Sequence, residues 1–399
     1  MSDALPVVFL KRNEDRRIRK GHPWVFSNEI DTRRSPLEQF SPGDAVELRS
    51  DNGASVGSGY INPASLIAVR LLGRGRNVTL TRSLLERRLQ QAASLRARLF
   101  EHPYYRLVYS ESDALPGLVV DRYDRDLVVQ VGTAGMERAI PKLIPLLKTL
   151  FDPRSIVLRN DIPSRKLEGL ALGVEALHGQ PPSELDVVEN GLHFSVDASL
   201  GQKTGWFFDQ RLNRAKLQRY APGLRVLDVF CYAGGFAVNA AAAGAAEVWA
   251  IDASQPALDR VRHNAGLNDL QTDVRTLCGD AFKILDELVV AGEKFDLIVV
   301  DPPALIPRRK DRKAGTRAYE RVNATALALL GADGLLMSAS CSYHLSRKDL
   351  ENAVYEAARK SARRLQFIEA GGQGPDHPVR PSMPESDYLK LVVSRAISG

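Results

Sequence analysis

The segment 226–252 constrains the fold of this chain more than any other, because it carries the pattern of a strand, a tight turn, a helix and a second strand. Residues 226–227 start a short apolar run. Gly234 and Gly235 permit a tight turn, and the alanines after them favour a helix. A second apolar run covers 248–251. This order predicts one unit of a nucleotide-binding α/β sheet.

The glycine spacing of this segment differs from the dinucleotide fingerprint G-x-G-x-x-G, because Phe230 and Tyr232 stand where that motif needs glycine. A pyrophosphate therefore has no obvious cradle. Asp252, after the second strand, is placed to grip a ribose diol. A carboxylate at Asp228 is unfavourable for a phosphate, but it suits the cationic methionine part of S-adenosylmethionine. We therefore expect a site for this methyl donor, with a turn formed by Tyr232, Gly234, Gly235 and Phe236.

Further strand ends extend the predicted site. Asp280 follows a third strand pattern, where class I methyltransferases hold the exocyclic amine of adenine. The apolar run 295–300 predicts a central strand that is covered on both faces, and it ends at Asp301 and Pro302. Two successive prolines stiffen this exit and direct carbonyls into the crevice at the carboxyl ends of the strands. Another buried run delivers Cys341 to the same edge.

Together these motifs resemble a known family. The order VLDVFCYAGGF, GDAF, VDPPAL and SCS, preceded by GQKTGWFFDQRLNR, is similar to the large-subunit ribosomal RNA cytosine-5 methyltransferase I family. The N-terminal GHPWVFSNEI and GDAVELRSDNGASVGSGYINP resemble the RNA-binding PUA domain of those enzymes. The resemblance covers essentially the whole chain. It implies an enzyme that uses S-adenosylmethionine and acts on 23S ribosomal RNA, with Phe208 and Arg211 closing the cofactor pocket.

Turn residues and hydrophobic periodicity divide the chain into three predicted domains. Residues 1–75 contain short alternating runs between turn residues, which predicts a small β domain of PUA-like type. Residues 76–190 open with a helical pattern over 80–100 and form a middle α/β domain. A hairpin over 187–196 leads into residues 191–399, a Rossmann-like class I methyltransferase domain with a parallel-type sheet.

Basic residues are concentrated in two runs. The net charge of +6 over 399 residues is only mildly basic, but 11–20 holds six cations and two anions, and 308–313 holds five cations and one anion. A charge run is ordinarily a solvated face. Because the second run follows the predicted active-site loop, phosphate contacts explain it better. The predicted RNA-binding residues are Lys11, Arg12, Arg16, Arg17, Arg19, Lys20, Arg308, Arg309, Lys310, Arg312 and Lys313.

Cys341 and Asp301 are the predicted catalytic pair. Carbon 5 of cytosine becomes nucleophilic only after a thiolate adds to carbon 6, and a carboxyl group must stabilise the charge that develops on the ring. A cysteine is usually a small buried hydrophobe. The flanking Ser340 and Ser342 mark a polar strand exit and favour a nucleophile.

Two other functions remain open. A DPP loop also suits methylation of a nitrogen in guanine or adenine, for which no covalent step is required. An RNA-binding assembly factor with a vestigial pocket is the other alternative, and it would be expected to have lost Asp228, Asp252 and Asp280. Ala304 stands where many cytosine-5 enzymes have a second cysteine, so the base that removes the carbon 5 proton is unassigned.

Cysteine content and hydropathy indicate the compartment. Three cysteines are too few for a disulfide framework and lack the spacing of metal ligands. No stretch approaches a membrane span or a signal peptide, so we expect a cytoplasmic protein with no metal. The target nucleotide and the formation of a homodimer stay open at this point.

Overall fold

The structure, a computed structural model, describes residues 4–198 and 205–398. These residues form two compact units. The first unit runs to Leu185 and adds Asp197–Trp206 and Pro375–Ser386; the second comprises Asp186–Val196, Phe207–Gly374 and the chain from Asp387 onward.

The first unit begins with a five-stranded sheet of strand order β1-β3-β4-β5-β2. Alternate residues such as Val46 and Val69 point into a buried apolar core, as expected for a sheet with one covered face. The elements are β1 (Val7–Phe9), α1 (Asp15–Arg19), β2 (Trp24–Phe26), β3 (Asp44–Arg49), β4 (Ser55–Ile61) and β5 (Ile67–Gly73).

A second five-stranded sheet of the first unit has the order β10-β9-β8-β7-β6. The predicted helix over 80–100 is confirmed as α2, which Thr81 caps by accepting the N–H of Leu84 at 3.2 Å. The elements are α2 (Arg82–Leu99), β6 (Tyr104–Tyr109), β7 (Leu118–Tyr123), β8 (Asp126–Val131), α3 (Ala134–Glu137), α4 (Ile140–Phe151), β9 (Ser155–Arg159) and β10 (Val174–His178). The division of residues 1–190 into two domains stays a prediction.

The second unit opens with a hairpin, which confirms the one expected over 187–196, and continues as a seven-stranded sheet with helices. The hairpin strands lie almost entirely in this unit. The elements are β11 (Glu184–Glu189), β12 (Leu192–Asp197), α5 (Arg211–Ala215), α6 (Leu217–Tyr220), β13 (Arg225–Val229), α7 (Gly235–Ala242), β14 (Glu247–Asp252), α8 (Gln255–Gly266), β15 (Val274–Cys278), α9 (Ala281–Val290), β16 (Phe295–Val300), α10 (Arg312–Leu329), β17 (Leu330–Ser340), α11 (Arg347–Lys360), β18 (Arg363–Gly372) and β19 (Lys390–Ser398).

The large sheet has the order β15-β14-β13-β16-β17-β19-β18. Strands β13 to β17 pair in parallel, and β19 is antiparallel to both β17 and β18. The expected central strand is confirmed, because β16 lies in the middle and alternate residues enter two separate cores, Ile298 in one and Leu297 in the other. The chain runs from β13 toward one edge and from β16 toward the other, so a crevice opens where these two strands end.

The helices are amphipathic or short rather than uniformly apolar. Among residues 4–198 and 205–398, no helix combines the length and hydropathy that a bilayer crossing requires.

Candidate active site

Carboxylates occupy the ends of four neighbouring parallel strands in the second unit. Asp280 lies two residues after β15, Asp252 ends β14, Asp228 lies one residue before the end of β13, and Asp301 directly follows β16. The parallel register brings Val229 opposite Val300, so the exits of β13 and β16 lie side by side. The four predicted carboxylates therefore share the edge of the sheet at which open α/β sheets bind ligands.

The loop after β13 makes its turn with residues other than glycine. Phe230 and Tyr232 adopt left-handed backbone conformations, with φ of 67° and 49°. Such conformations cost about 1–3 kcal/mol each for non-glycine residues and persist where the surroundings fix them. The backbone thus adopts glycine-like angles at the two positions where the dinucleotide motif would need glycine.

The two glycines of this loop have different roles. Gly234 is left-handed, with φ of 81°, and precedes α7. Gly235 is the first residue of α7, and a Cβ there would meet Nε of Arg214 at 2.5 Å. Phe236 is 5% exposed, with the Arg214 guanidinium 6.0 Å from its ring centroid. Gly234 therefore forms the turn, while Gly235 leaves room for an arginine.

Asp252 is half-buried and organises this loop. Its Oδ2 accepts the backbone N–H of Tyr232 at 3.0 Å, and its Oδ1 accepts the N–H of Ser254 at 2.9 Å. A carboxylate has about four acceptor positions, so two further donors, such as ribose hydroxyls, can still be accommodated. Asp252 therefore ties the loop after β13 to the residue before α8 and keeps acceptor positions for a ligand.

Asp228 lies beneath the loop. It is 0% exposed, and its Oδ2 accepts the N–H of Ala237 at 2.9 Å, which ties the strand to the first turn of α7. Its Oδ1 is buried and has no hydrogen-bond partner among the described residues. Burial, opposed in part by this N–H, raises the pKa of Asp228 to about 8, and the charges of Asp301 and Asp252 add to the rise.

The mutual repulsion of these carboxylates indicates which ligand charge fits. Asp228, Asp252 and Asp301 are close enough for their charges to interact. A cation placed among them would relieve the repulsion, whereas an anion would increase it. S-adenosylmethionine carries a sulfonium and an ammonium group, so the residues present fit its methionine end. Because Asp228 is fully buried, the exposed surface of this cluster belongs to the other two.

Asp280 is the most exposed of the four carboxylates. Its Oδ1 accepts the N–H of Lys283 at 3.0 Å and so caps α9. Phe282, the second residue of this helix, packs edge-on against Phe230 with ring centroids 6.3 Å apart. The third strand end is thereby joined to the loop after β13.

The segment before β13 lies beside the same loop, although its first residues, 202–204, fall outside the described part of the chain. Phe208 is 1% exposed, so its ring has almost no surface left for a cofactor. The neighbouring Phe207 instead packs edge-on against Tyr232, with ring centroids 5.4 Å apart. Arg211 forms an ion pair with Glu189 of β11 at 3.4 Å. The segment therefore reaches the loop through Phe207.

Gln210 is a site residue that the sequence interpretation missed. Its Nε2 donates to Oδ2 of Asp301 at 2.8 Å, and its Oε1 accepts from Nδ2 of Asn213 at 2.6 Å. Gln210 is 4% exposed and Asn213 is 0% exposed, so this link is shielded from water. A polar DQR sequence directly after three aromatic residues was the available signal.

Cys341 follows β17 and lies next to the exit of β16, as the sequence predicted. The thiol is half-buried. The neighbouring Ser340 donates to the Tyr319 hydroxyl at 2.8 Å, and the Ser342 hydroxyl lies 3.0 Å from the same oxygen. Ser342 Oγ also accepts the backbone N–H of Ile306 in the loop after β16 at 3.1 Å. The two serines thus fix the backbone on both sides of Cys341 and join it to the DPP loop.

The other two cysteines have different surroundings. Cys231 is buried inside the loop after β13, and burial raises the pKa of its thiol well above the ordinary value. Cys278 is exposed at the end of β15, an outer strand of the sheet that three other strands separate from β17. In the DPP loop, Pro302 is buried and Pro303 is exposed.

The two basic runs differ in how far their side chains are engaged. In the first unit, Arg17 binds both oxygens of Glu29 at 2.9 Å and the carbonyl of Trp24 at 3.0 Å, so its charge serves the fold. Arg19 is paired with Asp15. The exposed cations of this run are Lys11, Arg12, Arg16, Arg19 and Lys20.

The second run lies in the second unit, between the DPP loop and α10. Arg308 binds Asp311 at 2.8 Å, and Arg312 binds Asp349 at 3.0 Å. Arg309, Lys310 and Lys313 are exposed. These three are the residues of the run that stand best placed for a polyanion.

Comparisons with known proteins agree with this geometry. A family model described as an S-adenosylmethionine-dependent methyltransferase matches residues 169–390, and a PUA-like domain model matches residues 8–74. The ribosomal RNA large subunit methyltransferase I of Tolumonas auensis is 39% identical over 396 residues, which is 98% of this chain and 99% of that protein.

Two solved structures share the fold. A protein from Streptococcus mutans, described as an S-adenosylmethionine-dependent methyltransferase, superposes with a TM-score of 0.83 at 18% identity, over 98% of this chain and all of that one. A methyltransferase solved as a complex with S-adenosylhomocysteine gives a TM-score of 0.85 at 18% identity with the same coverage.

Proposed function

The chain belongs to the ribosomal RNA large subunit methyltransferase I family of S-adenosylmethionine-dependent enzymes, and from that premise we propose that it methylates carbon 5 of a cytosine in 23S ribosomal RNA through a covalent adduct of Cys341. One observation carries the proposal. Cys341 and Asp301 follow adjacent parallel strands, and the bond from Ile306 to Ser342 ties their two loops together. A thiol and a carboxyl group can therefore face one base.

On the cofactor side, Asp252 receives the ribose and Asp280 lies toward the adenine. Bound S-adenosylmethionine would supply an electrophilic methyl group on its sulfonium. The carboxylates of Asp252 and Asp301 orient that cationic end by charge, and Gln210 holds Asp301 in place at 2.8 Å. Phe207 and Tyr232 pack together where the loop would close over the ligand.

On the substrate side, the chemistry begins with a bond between Sγ of Cys341 and carbon 6 of cytosine. A proton shared between Asp301 and the ring nitrogen stabilises the charge that this addition places on the ring, and it leaves the nitrogen again when the adduct breaks down. Carbon 5 is then nucleophilic toward the methyl group. Loss of the carbon 5 proton to a base breaks the bond to sulfur and restores the thiolate.

The base that takes this proton is not a second cysteine. Cys231 is buried, and Cys278 is the last residue of β15, which three other strands separate from β17. We assign this step to Asp301 or to a water that it binds, because Asp301 follows the strand that pairs with the strand of Cys341. This assignment follows from position alone.

RNA binding is assigned to the exposed cations of both runs. A methyltransferase that acts on a polyanion needs phosphate contacts to position the base, and Arg309, Lys310 and Lys313 follow the loop that carries Asp301. Lys11, Arg12 and Arg16 serve the same purpose on the PUA-like part of the chain. Arg17 is removed from the proposed set, because Glu29 already binds it.

A second candidate function is methylation of a ring or exocyclic nitrogen. It is favoured by Asp301, a carboxylate held by Gln210 directly before two prolines, since such a group can orient an amine without any covalent step. Under this alternative Cys341 is dispensable.

The deciding experiment uses RNA that carries 5-fluorocytosine at the target, located first by mass spectrometry of ribosomal RNA nucleosides from cells with and without the protein. The fluorine cannot leave as a cation after methyl transfer, so we expect a covalent protein–RNA adduct. Cys341→Ser should abolish the adduct and reduce turnover at least a thousandfold, because a hydroxyl is a far weaker nucleophile than a thiolate. A Cys341→Ser protein that methylates at the wild-type rate would establish the nitrogen alternative.

A further inference from the structure

A lysine that the sequence interpretation did not consider lies beside the proposed nucleophile. Lys390 is the first residue of β19, and the antiparallel register places it opposite Ser340, the residue before Cys341. The side chain is 5% exposed. A buried lysine is costly unless its charge has a purpose or a partner, so its surroundings are informative.

The ammonium group is held by two backbone carbonyls, one of which belongs to the residue after Cys341. Nζ donates to the carbonyl of Ser342, the residue after Cys341, at 2.8 Å and to the carbonyl of Tyr388 at 2.7 Å. These bonds use two of its three protons. Because Lys390 is paired in register with the residue before Cys341 and bonded to the residue after it, its ammonium is fixed beside the backbone segment that carries the thiol.

We propose that Lys390 is a positioning residue that holds its ammonium beside Cys341 and so keeps the thiol in the thiolate form. A thiolate next to a fixed cation is stabilised by Coulomb attraction, as in other reactive cysteines. This inference rests on the proposed function for its role in methylation, but the state of the thiol can be measured without RNA or cofactor.

The charges around the pair are consistent with an ammonium at neutral pH. Burial lowers the pKa of Lys390 to about 8, and the charge of Cys341 opposes that lowering. Asp387 and Asp349 favour the ammonium, and Arg347 of α11 disfavours it. The hydroxyl of Tyr319 from α10 also interacts with the charge of Cys341, and burial raises the pKa of that hydroxyl, so it stays neutral. Lys390 thus supplies a positive charge that interacts with the charge of Cys341.

The same chain provides internal references. Cys278 is exposed at the end of β15, and Cys231 is buried, where burial and the nearby charge of Asp252 both disfavour a thiolate. Cys341 therefore lies near a cation, Cys278 is exposed to solvent, and Cys231 is buried near an anion. Their reactivities should fall in that order at neutral pH.

The test is the pH dependence of alkylation by iodoacetamide, measured on the full chain from pH 5 to pH 10 and quantified for each cysteine by peptide mass spectrometry. In the wild type, we expect the midpoint for Cys341 to lie at least one pH unit below that for Cys278. Lys390→Met should raise the Cys341 midpoint by at least one unit and slow its alkylation at pH 7 about tenfold. Lys390→Arg keeps the positive charge and should keep the low midpoint.

The control is Lys216→Met, which removes a half-buried lysine of the same unit that is paired with Glu369 and should leave the Cys341 midpoint unchanged. A wild-type midpoint for Cys341 at or above that of Cys278 overturns the proposal, even if Lys390→Met fails to fold. An unchanged midpoint in a folded Lys390→Met protein also overturns it and leaves the lysine a purely structural role.

Methylation kinetics separate this inference from the proposed function. If both hold, Lys390→Met lowers kcat about tenfold at pH 7 with KM for S-adenosylmethionine unchanged, and the loss shrinks as pH rises. If Cys341→Ser protein methylates normally, the covalent function has failed, and a Lys390-dependent midpoint then still supports the ion pair while removing its role in catalysis.

Discussion

The cofactor half of the large sheet, strands β13 to β15, takes its functional groups from a short stretch of sequence, whereas the substrate half, strands β16, β17 and β19, collects them from distant positions. In the cofactor half, Asp228 and Asp252 are held by backbone N–H groups of residues 2, 9 and 20 positions away. In the substrate half, Tyr319, Ser342 and Lys390 meet through side-chain bonds across 23 to 48 positions.

The two halves differ in which contacts hold their functional groups in place. Backbone donors on a tight loop are fixed by local φ and ψ, so the cofactor half depends on one turn and its strained residues. Hydroxyl and ammonium groups from separate elements meet only when the sheet and helix α10 have packed. We therefore expect the two halves to respond independently to substitution, with the cofactor half affecting S-adenosylmethionine and the substrate half affecting RNA.

The largest expected effect is on RNA binding. Replacing Arg309, Lys310 and Lys313 together by glutamine should weaken RNA binding by roughly a hundredfold at low salt and lower the slope of log affinity against log salt by about one unit for each lost phosphate contact. The affinity for S-adenosylmethionine, measured by calorimetry, should not change.

A matched triple substitution of Lys348, Arg359 and Lys360, exposed cations on α11, controls for net charge. If both triple variants lower the slope of log affinity against log salt by the same amount, the run after the DPP loop acts only through overall charge. The comparison between the halves would then fail.

The next effect belongs to the cofactor half. Asp252→Ala should weaken S-adenosylmethionine binding by roughly tenfold to a hundredfold, or about 1.5–3 kcal/mol, because a carboxylate that accepts hydroxyl donors forms charge-assisted hydrogen bonds. RNA affinity should stay within about twofold. Asp259→Ala, which removes an exposed carboxylate from the adjacent helix α8, is the control. Equal calorimetric affinity in wild type and Asp252→Ala would take Asp252 out of the site.

The same contrast explains what could be predicted from the sequence. The strand, turn and helix of 226–252 follow from local hydrophobic pattern and turn chemistry, so β13, α7 and β14 occur in the predicted order, and β14 lies within one residue of its expected bounds. The central position of β16 also follows, because a continuous apolar run needs cover on both faces. Asp252 and Asp301 could be predicted as strand-end residues for the same reason.

Contacts between distant elements could not be read in this way. Gln210, Tyr319 and Lys390 have ordinary sequence surroundings, and their roles arise from partners 91, 23 and 48 positions away. The burial of Asp228 could not be predicted either, because the sequence pattern of a strand-end aspartate is the same whether it faces solvent or lies under a loop. The sequence pattern shows which alternate residues of a strand are buried. How deeply a strand-end side chain is buried depends instead on the loop that covers it.

The smallest expected effect sharpens the comparison within the cofactor half, by separating the buried Asp228 from the ligand-facing Asp252. An aspartate with a pKa raised to about 8 keeps its proton in the folded chain, while the unfolded chain loses it near its ordinary pKa of 3.8. Between these two values the folded state binds more protons, so the stability of the folded state falls as pH rises from about 4 to about 8 and is constant above that.

Asp228→Asn removes this titration while its side-chain carbonyl can still accept the N–H of Ala237. We therefore expect the difference in unfolding free energy between the variant and wild type to increase by at least about 1 kcal/mol from pH 5 to pH 8. This corresponds to roughly 3 °C in the thermal midpoint. Asp296→Asn is the control, because that carboxylate accepts the N–H of Arg225 at 2.9 Å at the opposite, exposed end of the sheet. A gain for Asp228→Asn that is the same at both pH values would mean that Asp228 is ionised in the folded chain, and its carboxylate would then belong with Asp252 as part of the charge that receives the cofactor.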